Sequence, residues 1–175
     1  ATWAIARAAG SKTVADIGLH TAEALGLTIV SAEMIRGPLG RARPRVAGGD
    51  AFIFDFNAGF TKFENRSYPS MHSAVAFTTA AAVTQEMHEW KPHTTRYVAP
   101  ILYSAALIPG MTRMYLNQHW TSDVVAGGVM GAWIGHKVVR YAHSHRRSKL
   151  DDVLLGLTVL PTPDGGVFAA VSLSR

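Results

Sequence analysis

Apolar residues recur along most of this chain at helical spacing. From about Thr13 to Ile35, Ile17, Leu19, Ala24, Leu25, Leu27, Ile29 and Val30 cover more of a helix than one narrow stripe, which predicts a helix that is mostly buried. Gly37-Pro38 predicts its end. The stretch from Leu39 to Tyr68 is punctuated by Gly40, Pro44, Gly48, Gly49, Asp50, Asn57 and Gly59 and reads as a long loop. Loops of this length in a compact domain are usually functional or disordered. Phe52, Phe54, Phe56, Phe60 and Phe63 lie within it and predict that it is packed down.

An Ala-rich helix is expected from about His72 to Glu89, another from about Thr95 to Ile108, and a third from about Thr121 to His143. The third carries Gly127, Gly131 and Gly135 at four-residue intervals, a face without side chains that lets a second helix approach closely. Beyond it the pattern changes. Leu157 to Leu160 and Val167 to Leu173 flank Pro163-Asp164-Gly165-Gly166, a β-hairpin signal. No repeat or composition break marks a second domain. The expectation is therefore one all-α domain over 1–175, a compact helical bundle with its core at about 13–143. A long loop and a C-terminal hairpin at about 155–174 complete it.

Composition narrows the chemistry. The chain has 175 residues, 48% of them apolar and 17% charged, and Lys plus Arg exceed Asp plus Glu by 17 to 12. That length encloses a core without cross-links, and the excess of cations favours a phosphate-bearing partner: nucleic acid, anionic lipid or a phosphorylated small molecule. The absence of cysteine excludes disulfides, thiol catalysis and cysteine-based metal sites. The chain begins at Ala1 with no signal-peptide pattern, which reads as a processed or trimmed start. The longest stretches free of charge, Ser67 to Gln85 and Tyr97 to Thr112, are interrupted by polar residues or proline and do not make convincing membrane spans.

Three segments place cations and histidines where the pattern changes. In Arg36-Gly-Pro-Leu-Gly-Arg-Ala-Arg43-Pro44, a stiff turn could fold Arg36 and Arg43 towards one oxyanion, each guanidinium offering two parallel donors. The segment could equally be a solvated basic loop. In Pro69-Ser70-Met71-His72, at a helix start, the Met71 and His72 amides and the Ser70 hydroxyl could cradle an oxyanion, or Ser70 could be a plain cap. In Arg113 to Asp123, the four-residue offset lets Asp123 accept a hydrogen bond from His119 Nδ1, leaving Nε2 free as a nucleophile or base. The same pair could be structural or could hold a metal, although neighbouring arginines would repel a cation.

Taken in order, the three segments resemble the signature of the type-2 phosphatidic acid phosphatase superfamily. The pattern is Arg36, six residues, Arg43-Pro44; then Pro69-Ser70-x-His72; then Arg113, five residues, His119, three residues, Asp123. That superfamily includes bacterial non-specific acid phosphatases, lipid phosphate phosphatases and vanadium haloperoxidases. The resemblance spans roughly residues 24 to 136, with Ser73 and the run from Asp123 to Gly127 also matching. Arg36 stands where the family usually has Lys, Thr112 where it has Ser, and Met71 where it has Gly. The last departure matters most, because Met adopts positive φ less readily and fills the space Gly leaves to a ligand.

The resemblance implies a phosphoric monoester hydrolase or diphosphatase. His119 would attack phosphorus to give a phosphohistidine, Asp123 would orient it, and His72 would protonate the leaving oxygen and then activate water. Arg36, Arg43, Ser70, Met71 and Arg113 would bind the phosphoryl oxygens. No metal or organic cofactor is implied, and phosphate or vanadate would occupy the pocket. The expected partner is a phosphorylated lipid or small-molecule phosphate, with contact at a membrane surface, no nucleic acid, and a periplasmic or cell-envelope location. Two rivals remain: a vanadate-dependent haloperoxidase, and a non-catalytic basic module binding anionic lipid through Lys137, Arg140, His143, His145, Arg146, Arg147 and Lys149.

Overall fold

The computed structural model describes residues 12–145 together with the backbone of two short strands, Leu157–Pro161 and Val167–Val171. The chain divides into two units, Ala1–Arg140 and Tyr141–Arg175. Four helices run through the described residues: α1 (Lys12–Leu39), α2 (Met71–Trp90), α3 (Pro92–Tyr115) and α4 (Thr121–Ser144). Two single 3-10 turns, Ala58–Phe60 and Phe63–Asn65, lie in the loop between α1 and α2.

Between His20 and Arg36, helix α1 buries His20, Ala24, Thr28, Ala32 and Arg36, at four-residue intervals. This corrects the expectation of a mostly buried helix, since Leu27, Ile29, Val30, Met34 and Ile35 face outward. The stripe that packs is narrow and carries polar groups. Thr28 and Thr78 hydroxyls bond at 2.8 Å, and His20 Nδ1 pairs with the fully buried Glu86, fastening α1 to α2. The end of α1 is also corrected. Gly37-Pro38 lies inside its last turn, and the helix stops instead at Gly40, whose φ of +59° and amide bond to Arg36 O (3.2 Å) turn the chain aside. A Cβ at Gly40 would lie 1.7 Å from Asp55 O, so no larger residue fits.

The glycine face of α4 lies directly on α2. A Cβ at Gly127 would come 2.4 Å from Ser70 O, at Gly131 2.1 Å from Ala74 O, and at Gly135 2.5 Å from Thr78 O. Backbone-to-backbone packing at this distance leaves a core of small residues, with Ala24, Ala82 and Val139 at its centre. Helix α3 starts at Pro92, which needs no amide partner there, and continues past Pro100 and Pro109 to bring Arg113 into its last turn. It buries only Ala106 and Gly110, the latter against Val124 and Ser73.

The long loop is held by its backbone and not by its phenyl rings. Ala42 N bonds Ile53 O (3.0 Å), Arg43 N bonds Glu64 O (2.9 Å), Asp55 N bonds Gly40 O (3.0 Å) and Ser67 N bonds Arg41 O (3.1 Å). Phe52, Phe56, Phe60 and Phe63 are 83, 71, 66 and 62% exposed, which corrects the expectation that they pack down. Where α4 meets α2 at Gly127, Gly131 and Gly135 the backbones touch, which leaves no room there for rings.

In the second unit the two strands pair antiparallel, Leu157 opposite Val171 and Pro161 opposite Val167. The turn expected at Pro163 to Gly166 lies outside the described residues, and so do both ends of the hairpin predicted over 155–174.

Candidate active site

Helix α2 begins at the site. Ser70 caps it, its Oγ accepting from Ser73 N (3.5 Å) and Ser73 Oγ (3.2 Å), while its own amide bonds Asp123 O (2.9 Å). Ser70 is fully buried against Gly127, so the hydroxyl expected in an open oxyanion cradle sits below the surface. Met71 is the first residue of the helix and has no positive φ. The family's usual Gly is therefore not required for backbone reasons. As first residues of the helix, Met71 and His72 present amides with no partner in their own helix.

His119 lies at the end of a short connection from α3, where Asn117 turns the chain with a φ of 52° and Gln118 N bonds Arg113 O at 2.9 Å. The ring is nearly buried, 3% exposed. Its Nδ1 is 2.7 Å from Ser67 O and 3.7 Å from Asp123 Oδ2. This corrects the expected pairing, since the hydrogen bond runs to a backbone carbonyl and the carboxylate stands beyond bonding distance. A carbonyl only accepts, so Nδ1 carries a proton, and in the neutral ring the lone pair is then on Nε2.

Asp123 instead organises the floor of the site. Its carboxylate accepts from Ser67 Oγ (2.6 Å), Trp120 N (2.8 Å) and Arg41 NH1 (2.5 Å) and is fully buried. Burial pushes its pKa up, but the neighbouring His119 ring, the Ser67 hydroxyl, the Trp120 amide and Arg41 together hold it below the usual carboxylate range. Arg41 also bonds Ser122 Oγ (2.8 Å) and Ala51 O (2.7 Å), with the rings of Phe54, Tyr68 and Trp120 around it.

The other cations gather around His72. Its Nε2 is 2.7 Å from Arg113 NH2 and its Nδ1 is 3.3 Å from Arg113 Nε. Partial burial and then the charges of Arg113, His119, Arg36 and Arg43 hold the His72 pKa below that of a free imidazole. Arg43 is pushed down to about 10 by burial and by Arg36, Arg45 and Arg113. Arg36 lies 7% exposed at the end of α1, donating to Arg66 O (2.8 Å) and Glu33 (3.2 Å). A cluster facing a histidine with this much positive charge suits an oxyanion and repels a metal ion.

The structure thus brings Arg36, Arg43, His72, Arg113 and His119 to one place, with Asp123 beneath. Sequence reasoning missed Arg41 and Ser67. Arg41 was visible between Arg36 and Arg43, but nothing in the spacing distinguished a buried structural arginine from a solvated one. Ser67 acts through its carbonyl as well as its hydroxyl, and a backbone acceptor leaves no trace in residue type.

Comparison with known proteins agrees with the geometry. Residues 18–147 match the family model described as the PAP2 superfamily. The chain is 23% identical over 143 residues to an undecaprenyl-diphosphatase from Sulfolobus acidocaldarius, covering 82% of this chain and 64% of that protein. It is 35% identical over 69 residues to a lipid A 1-phosphatase from Porphyromonas gingivalis (39% and 15% covered). Against a lipid A 1-phosphatase from Rhizobium johnstonii it is 33% identical over 105 residues (58% and 38% covered). The chain therefore spans less than two thirds of the length of each of these relatives. No solved structure matches it.

Proposed function

The chain belongs to the PAP2 superfamily, and on that premise we propose that it is a phosphatase that removes a phosphoryl group from a lipid phosphate or lipid diphosphate through a phosphohistidine. The observation that carries the reading is the buried His119, its Nδ1 proton held by Ser67 O, together with a His72 that feels the charges of Arg113, His119, Arg36 and Arg43. In the first step Nε2 of His119 attacks phosphorus, the bond to the leaving oxygen breaks, and protonated His72 gives that oxygen its proton. In the second, neutral His72 takes a proton from water, the hydroxide attacks phosphorus, and the P–N bond breaks to return His119 and inorganic phosphate.

Arg36, Arg43, Arg113 and the Met71 and His72 amides stabilise the charge that develops on the phosphoryl oxygens. Asp123 serves the imidazolium across 3.7 Å as a charge and holds Ser67, whose carbonyl orients the ring. Ser70 fixes the start of α2. The chemistry calls for no metal or organic cofactor, and vanadate, which resembles the transition state in shape, is expected to inhibit.

The lipid class rests on the relatives' names and on the exposed Phe52, Phe56, Phe60 and Phe63, which suit contact with a membrane surface. Among the described residues no helix is long and apolar enough to cross a membrane. A location in the periplasm or cell envelope and hydrolysis of monoesters as a class belong to the same proposal. Phosphate release measured across polyprenyl diphosphates, glycerolipid phosphates and soluble aryl phosphates tests it: faster turnover of lipids is expected, and no release from any of them would sink the reading.

A further inference from the structure

The three arginines near His72 differ in what they leave free. Arg36 is already engaged, its Nε and NH2 on Arg66 O and its NH1 on Glu33. Arg113 lies against the His72 ring, its Nε 3.3 Å from Nδ1 and its NH2 2.7 Å from Nε2, and a neutral imidazole accepts at one of the two. Arg43 is 3% exposed, and its NH1 donates to Gln118 Oε1 while its Nε is buried with no acceptor. Phe63 covers one face of the guanidinium, 4.1 Å from ring centre to carbon. A buried donor without a partner is costly, and a ligand oxygen placed there removes the cost.

Gln118 is itself fixed from both sides. Its amide bonds Arg113 O at 2.9 Å, and the preceding Asn117 O accepts from Arg45 N at 3.2 Å, which ties the end of α3 to the segment carrying Arg43. We propose that Gln118 is a positioning residue for phosphate: by holding NH1 of Arg43 it turns the Nε and NH2 edge towards the phosphoryl group, to be read by two oxygens at once. This rests on the phosphatase reading. A neutral amide suits the task, because it orients the guanidinium without cancelling its charge. A carboxylate at the same place would form an ion pair and compete with the substrate.

Vanadate binding by calorimetry and steady-state kinetics on a soluble aryl phosphate, in wild type, Gln118→Met and Gln118→Glu, test the assignment. Gln118→Met keeps the volume and removes the acceptor. It is expected to weaken vanadate binding and raise KM about tenfold with little change in kcat. Gln118→Glu is expected to lose more, about a hundredfold in vanadate affinity, with thermal stability retained because the contact survives. Unchanged vanadate affinity in both variants, with wild type active, would overturn the assignment alone. So would equal losses in kcat and KM that track a fall in melting temperature. A wild type that neither binds vanadate nor releases phosphate would overturn the phosphatase reading, and the assignment with it.

Discussion

His119 Nδ1 lies 2.7 Å from the carbonyl oxygen of Ser67 and 3.7 Å from Oδ2 of Asp123, so the ring is oriented by backbone and the carboxylate acts one step removed. Asp123 reaches the histidine through Ser67, whose hydroxyl it accepts at 2.6 Å, and through the Trp120 amide at 2.8 Å. It also neutralises Arg41 beneath the site. Orientation and stability are thereby joined in one buried group.

Asp123→Asn therefore costs more in stability than in nucleophile orientation. Removing the charge leaves Arg41 buried without its counter-ion, an expected loss of about 3–5 kcal/mol in chemical denaturation. The histidine tautomer survives, so turnover per folded molecule falls less than in His119→Asn. Wild type has a pH signature as well. The folded pKa of Asp123 is depressed, so its contribution is complete above the unfolded value of about 3.9 and is lost as pH falls through the lower folded value. Asp123→Asn lacks that acid limb, and equal acid sensitivity in the two proteins would contradict the account.

In the proposed mechanism His72 must be protonated to serve the leaving oxygen, and its pKa is held below that of a free imidazole, about 6.5. For substrates with poor leaving groups, kcat/KM is expected to fall as pH rises through a value below about 6.5. Arg113→Met removes the largest charge acting on His72 and moves that limb to higher pH while raising KM. A limb that stays in place would show that Arg113 does not set the acidity of His72.

Two glycines on different helices separate close packing from helix propensity. A Cβ at Gly127 would press on Ser70 O at 2.4 Å, and Gly127→Ala is expected to destabilise by about 1–3 kcal/mol and to lower turnover, because Ser70 starts α2. Gly26 on α1 has open space around it, and Gly26→Ala is expected to stabilise by about 0.5–1 kcal/mol. Thermal melts of both variants with activity assays check this pair.

The exposed phenyls of the loop give a comparison between substrates. Replacing Phe52 and Phe56 with Ser is expected to slow turnover of a lipid phosphate in anionic vesicles several-fold and to leave a soluble aryl phosphate unaffected. Equal effects on both substrates would assign the rings to the structure of the loop.

The helices were legible because their apolar and glycine positions repeat at helical spacing, and Gly127, Gly131 and Gly135 announced a close helix contact without saying which helix makes it. The charged site was legible because Arg36, Arg43, His72, Arg113, His119 and Asp123 occur in a fixed order and spacing. What the sequence concealed was how polar groups pair over long separations. His20 with Glu86, Arg41 with Asp123 and Arg43 with Gln118 are 66, 82 and 75 residues apart, and His119 bonds a carbonyl that any residue could supply. The phenyl-rich loop misled because hydrophobicity marks what gains from burial, whereas burial also needs space between the helices.

The most direct measurement is of the covalent intermediate. Protein mixed with a reactive phosphate ester, quenched in alkali and mapped by peptide mass spectrometry is expected to carry one phosphoryl group on His119. The adduct should be absent in His119→Ala, persist longer in His72→Ala and form unhindered with EDTA present. A phosphoryl group on another residue, or full turnover by His119→Ala, would contradict the account.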